Sequence, residues 1–203
     1  MSANVPGYDP DGAVARPGEF LYGAFQDAAL TPRGQRQAEL AAARLAACPL
    51  VGVCASPYRR AVMTAEAVAR PHGVPVMTDE ALVERGFGEW DGLTAVQIEE
   101  RDPPGAPLFD SSSTFAPPGG ESLQVVVERA YLALLQVAHR HAGGAVAVVS
   151  HKTVIRALIC HILGIALERF RRIGQNNCAL NVLHVGQQGV DVAVINDTCH
   201  LEG

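Results

Sequence analysis

The sequence predicts an α/β fold: a three-layer sandwich with a mostly parallel central sheet, helices on both faces and one antiparallel edge hairpin. Three observations carry that prediction. Short apolar runs alternate along the chain with stretches of helical periodicity, the mark of strand–helix–strand units. The run Gly144-Ala145-Val146-Ala147-Val148-Val149 reads as a strand buried on both faces, and a helix pattern follows at once, with Val154, Ile155, Leu158 and Ile159 at helical spacing and Gly164 near its end. The chain then closes on two apolar runs, 178–185 and 190–195, flanking Gly186-Gln187-Gln188-Gly189 as a hairpin.

The elements follow in order. Residues 1–11 form a loose amino-terminal arm, and Gly12-Ala13-Val14-Ala15 is a weak strand leading into Arg16-Pro17-Gly18-Glu19. A loop runs to Ala29. Thr31 caps a helix with Pro32 in its first turn and Ala38, Ala41, Ala42 and Leu45 on its apolar face; Pro49 ends it. Residues 50–55 form a second buried strand. Ser56-Pro57 repeats the cap-plus-proline start, for a helix reaching about Arg70 before Pro71. Residues 74–77 give a short third strand, and 82–93 are irregular, with glycines that let the backbone turn sharply. Thr94 caps a short helix to Arg101. From 102 to 120 the chain is a long loop rich in proline and serine, expected beside the pocket, and 121–141 is a long helix.

Composition narrows the function. With 203 residues, 48% of them hydrophobic, a single domain over 1–203 with a substantial core is expected. A net charge of -5 argues against nucleic acid or an anionic membrane as the main partner. Five scattered cysteines without a C-x-x-C pair suggest reduced thiols in a cytoplasmic protein. The start lacks a signal-peptide pattern, and Arg156 and His161 interrupt the longest apolar helix. No metal-ligand spacing and no nucleotide loop is present, so neither metal nor cofactor is expected. A homo-oligomer is compatible with the composition, which does not decide it.

Placement selects the residues that could do chemistry. Ser150-His151-Lys152 lies between the carboxyl end of a strand and the amino end of a helix, where open α/β sheets bind ligands and helix starts favour anions. Arg16 follows the weak first strand, and Arg60 falls early in the helix after the second. Two guanidinium forks and the His151 imidazole at one sheet edge suit a phosphate dianion or a carboxylate. Glu84 precedes a Gly-rich turn that can carry it to the same edge, where a carboxyl could protonate a leaving oxygen.

Several blocks in order resemble the histidine phosphatase superfamily, in its phosphoglycerate-mutase-like branch: Leu30-Thr31-Pro32-Arg33-Gly34, Ser56-Pro57-Tyr58-Arg59-Arg60-Ala61 with Thr64-Ala65, Glu84 to Trp90, Pro118-Gly119-Gly120-Glu121-Ser122, and Val149-Ser150-His151. The resemblance spans most of the chain. It implies phosphate held by Arg16, Arg60 and His151, with Glu84 protonating the leaving group. It also implies a nucleophilic histidine in an Arg-His-Gly motif, and here that position is Pro17, which has no ring nitrogen able to attack. Lys152 and Gly86 also depart from the usual pattern.

The loss matters quantitatively. Phosphate monoester hydrolysis needs accelerations of up to about 10²¹, whereas serine proteases retain only about 10³–10⁴ without a triad member. Three readings stay open: acid–base chemistry by Glu84 and His151 on a phosphorylated or carboxylated small molecule; a non-catalytic pseudoenzyme that binds such a ligand; and a phosphatase with weak or unconventional hydrolysis.

Overall fold

A computed structural model describes residues 28–107 and 112–202. The expected arm at 1–11, the weak strand at 12–15, Arg16, Pro17, Leu108 and Phe109 lie outside the described residues.

The first helix, α1 (Pro32–Leu45), begins as its sequence directs: Thr31 Oγ1 accepts from Gly34 N at 3.0 Å, and proline occupies the first turn. Strand β1 (Leu50–Ala55) leads to α2 (Arg59–Ala69). Short β2 (Val76–Thr78) starts two residues later than expected and ends one later, and α3 (Ala95–Arg101) follows, where Thr94 and Gln97 form a reciprocal capping box. Helix α4 (Leu123–Arg140) is capped by Ser122 Oγ, which accepts from Val125 N at 3.2 Å. Strand β3 (Ala145–Val149) runs into α5 (Lys152–Ile162). The chain closes on β4 (Leu180–Gly186) and β5 (Gly189–Asp197).

The α2 start differs from expectation. Ser56 does not cap the helix: Tyr58 occupies the cap position and makes no side-chain cap bond. Ser56 Oγ instead turns towards His151.

The three parallel strands lie in the order β2-β1-β3. Register explains the layers. Val53 pairs with Ala147 and Ala55 with Val149, and these four pack with α1 and α2. Cys54 pairs with Val148, and that opposite face packs with Ala133 and Val137 of α4. The first face is built from small residues (Ala38, Ala41, Ala42, Ala61, Ala65), which let α1 and α2 approach closely over the sheet. The hairpin is antiparallel as expected; among the described residues β4 and β5 form a two-stranded sheet of their own.

The flanks of the long loop are tied down. Glu89 N donates to Pro118 O at 2.9 Å and Glu121 N to Gly86 O at 2.8 Å. Gly88 makes this approach workable: its φ is +56°, and a Cβ there would lie 2.2 Å from Pro118 O. Phe115 packs on Trp90, with ring centroids 5.6 Å apart. Among the described residues no helix is long and apolar enough to cross a membrane.

Candidate functional site

Parallel strands deliver their carboxyl ends to one edge, and the polar residues that follow them collect there. Ser56, Tyr58 and Arg60 come from the β1–α2 connection, Glu84 from the segment after β2, and Ser150, His151 and Thr153 from the β3–α5 connection. Backbone and side-chain bonds lock the three connections together. Ser56 N donates to Val149 O at 2.9 Å, Asp79 N to Ala55 O at 2.9 Å, and Ser150 Oγ to Leu82 O at 2.8 Å.

Three of the four groups expected at the pocket are therefore neighbours. Arg60, Glu84 and His151 are all buried, at 5%, 8% and 3% exposure, a degree that charged side chains reach only when paired or functional. The Tyr58 ring links two of them, lying 5.3 Å from the His151 ring centroid and 4.9 Å from the Arg60 guanidinium carbon. The fourth, Arg16, lies outside the described residues, as does Pro17.

Glu84 is held by two backbone donors: Arg85 N to Oε1 at 2.8 Å and Thr153 N to Oε2 at 3.3 Å. Burial pushes its carboxyl above the usual range, against the opposing pull of those two N–H groups and of the Arg60 guanidinium. His151 moves the other way. Burial, and then the Arg60 charge, hold its imidazole well below the usual histidine value, so the ring is neutral near pH 7. Its Nε2 lies 2.7 Å from Ser56 Oγ.

A brace stands behind Glu84. Arg129 on α4 donates to both oxygens of Glu121 at 2.8 and 2.9 Å, to Ala81 O at 2.7 Å and to Glu84 O at 3.4 Å. Gly86 N donates to Glu121 Oε2 at 2.9 Å, and Arg85 reaches Glu121 O and Phe115 O. Burial works upward on Glu121, but the Arg129 fork and the Gly86 N–H outweigh it and keep the carboxyl below the usual range. Both segments that flank Glu84 are thus fixed to α4.

Sequence reasoning missed Ser56, Tyr58, Thr153, Arg129 and Glu121 as participants. Ser56 was hidden by its resemblance to a helix cap. Arg129 and Glu121, eight positions apart, carry no signal until α4 is docked beside the Glu84 segment.

The arrangement defines a class first: an α/β protein whose carboxyl-edge cluster pairs a buried carboxyl with a buried guanidinium and a neutral imidazole. Residues 12–198 match the family model described as histidine phosphatase superfamily (branch 1), and the chain belongs to that family. It is 31% identical over 181 residues to phosphoserine phosphatase 1 of Hydrogenobacter thermophilus, covering 89% of this chain and 86% of that protein. It is 33% identical over 170 residues to the bifunctional protein Rv2228c of Mycobacterium tuberculosis, covering 83% of this chain but only 47% of that one. Among solved structures it resembles Bacillus stearothermophilus YhfR, with a TM-score of 0.84, 30% identity and coverage of 90% and 91% of the two chains.

Proposed function

We propose that this protein binds a small phosphorylated molecule at the carboxyl edge and carries out acid–base chemistry on it without a phosphohistidine at position 17. Arg60 and the neutral His151 hold the anion, together with Arg16 as the sequence leads one to expect. Glu84 supplies the proton to the leaving ester oxygen while a water molecule adds to the phosphorus, so that the phosphoryl group departs as inorganic phosphate. The observation that carries this reading is that Arg60, Glu84 and His151, brought in by three separate connections, are all buried at one sheet edge; the two titrating groups among them are shifted in opposite directions. A carboxyl held above its usual range keeps its proton to higher pH than a free one, and an imidazole held below its usual range stays uncharged beside Arg60. The name of the Hydrogenobacter relative, a phosphoserine phosphatase, supports a phosphorylated rather than a carboxylated ligand. The whole chain acts as one cytoplasmic domain in this reading.

The test is direct. Inorganic phosphate should raise the thermal stability of the wild-type protein, and Arg60→Ala should remove that stabilisation. Phosphoserine and an aryl phosphate are then assayed for phosphate release and for other product. Phosphate-dependent stabilisation with no product of any kind leaves a binding protein and overturns the catalytic half of the proposal. No stabilisation at all overturns both halves.

A further inference from the structure

Ser56 has no part in the chemistry proposed above, yet it makes the shortest side-chain contact in the cluster. Its Oγ lies 2.7 Å from His151 Nε2, and Tyr58 N donates to the same oxygen at 3.3 Å. The residue is fully buried, with 0% exposure. A serine hydroxyl has one proton to give and two lone pairs to offer. If Nε2 carried the imidazole proton, Oγ would receive two donors, and its own proton would be left without an acceptor among the described residues. Buried donors are rarely left so, because the lost hydration is not replaced. If instead the hydroxyl donates to Nε2, both Ser56 hydroxyl functions and Nε2 are satisfied: Tyr58 N–H to Oγ, and O–H to the imidazole lone pair.

We infer that Ser56 is a positioning residue that fixes His151 as the Nδ1–H tautomer. The ring then has a single N–H, at Nδ1, and that is the donor it offers to an anionic oxygen. The lone pair at Nε2 is engaged by a hydroxyl that solvent does not reach. His151 therefore contributes a hydrogen bond beside the Arg60 charge, and the proton in transit belongs to Glu84. The Tyr58 ring, 5.3 Å from the imidazole, restricts its rotation in the same orientation. Function follows from the tautomer, because a lone pair aimed at a phosphate oxygen repels it and an N–H attracts it. The anion contact presupposes the phosphate site proposed above; the tautomer does not.

Long-range proton–nitrogen correlation on the free wild-type protein reads the tautomer directly. The expected spectrum shows the protonated-type shift at His151 Nδ1 and the bare-nitrogen shift at Nε2; the opposite assignment overturns the inference. In Ser56→Ala the two nitrogens should move towards averaged values, and Ser56→Thr, which keeps the hydroxyl, should restore the wild-type pattern. A Ser56→Ala spectrum identical to wild type overturns the positioning role. Binding supplies a second readout. The asparagine amide superposes on Nδ1 and the glutamine amide on Nε2, so His151→Asn should bind inorganic phosphate about tenfold more tightly than His151→Gln. The reverse order counts against the inference. Should wild type fail to bind phosphate at all, the anion site falls, while the nitrogen shifts still decide the tautomer.

Discussion

The carboxylate of Glu84 accepts from the backbone N–H of Thr153 at 3.3 Å, so a residue from beyond β2 caps a helix that follows β3. Helix α5 needs this, because His151 occupies its cap position and makes no side-chain cap bond. The Glu84 carboxyl and the start of α5 are therefore one unit. In Glu84→Gln one oxygen remains to accept, but the transferable proton is gone. Turnover should fall by about 10²–10⁴ while phosphate affinity stays within a few-fold of wild type. Steady-state kinetics and phosphate titration separate the two, and an unchanged kcat removes the acid from Glu84.

His151 makes the fold sensitive to pH in a definite direction. Its native value lies well below the ordinary 6.5, so the unfolded chain binds a proton there that the native state refuses. Stability from this group is complete above the unfolded value and declines as pH falls from 6.5 towards the native value. Glu84 acts with the opposite sign. Its raised native value means that the folded state gains stability as pH falls through its own titration towards the unfolded value of 4.5. Thermal midpoints measured from pH 8 to pH 5 should fall less steeply in His151→Asn than in wild type. Parallel profiles would mean that the imidazole titrates normally.

Arg129 should be among the most sensitive positions outside the strands. Its removal leaves Glu121, half of an ion pair with both side chains mostly shielded, and two carbonyl oxygens without their donor. Arg129→Ala is expected to lower unfolding stability by about 2–3 kcal/mol, and Arg129→Lys by less, because an ammonium cannot span the same four oxygens. Urea denaturation measures both. A loss below about 0.5 kcal/mol would mean that the brace contributes little.

Two glycines in similar backbone geometry should behave differently. At Gly73, φ is +64° and a Cβ would meet nothing within 4 Å, so Gly73→Ala should cost about 1 kcal/mol from conformation alone. At Gly88, φ is +56° and the added carbon would strike Pro118 O, Gly119 and Gly120 backbone atoms at 2.2–2.5 Å. Gly88→Ala should cost about 3 kcal/mol or more and also lower turnover, since the displaced backbone is four residues from Glu84. Equal midpoints for the two variants would show that the pinch gives way easily.

Position 17 offers a gain-of-function test. If the surrounding site is competent for phosphoryl transfer, Pro17→His should raise phosphate release from an aryl phosphate by about 10³-fold and yield an acid-labile phosphohistidine. No adduct and no gain would place the obstacle beyond this single side chain.

Much of this architecture was legible in the sequence because local signals agreed with one another. Thr31-Pro32 and Thr94 announced their helices, and the residues of β1 and β3 are apolar enough to be buried on two faces. Arg60, Glu84 and His151 were legible because each follows a strand, and parallel strands end together. Ser56 was not, since Ser-Pro before a helix reads as a cap and its true bond, to His151, spans 95 residues. The Arg129–Glu121 brace was equally hidden, because its purpose is to grip carbonyls at Ala81 and Glu84 that no pattern connects to α4.

The paired backbones at Gly86–Glu89 and Pro118–Glu121 have an evolutionary corollary. They anchor the far end of the long excursion to the very segment that carries the acid, while the near end leaves from α3. Between those anchors Phe115 ties the excursion to the same segment again, its carbonyl accepting from Arg85 and its ring packing on Trp90. Side chains elsewhere in the excursion can therefore change with little mechanical effect on the Glu84 carboxyl, whereas a change at Phe115 is felt next to it.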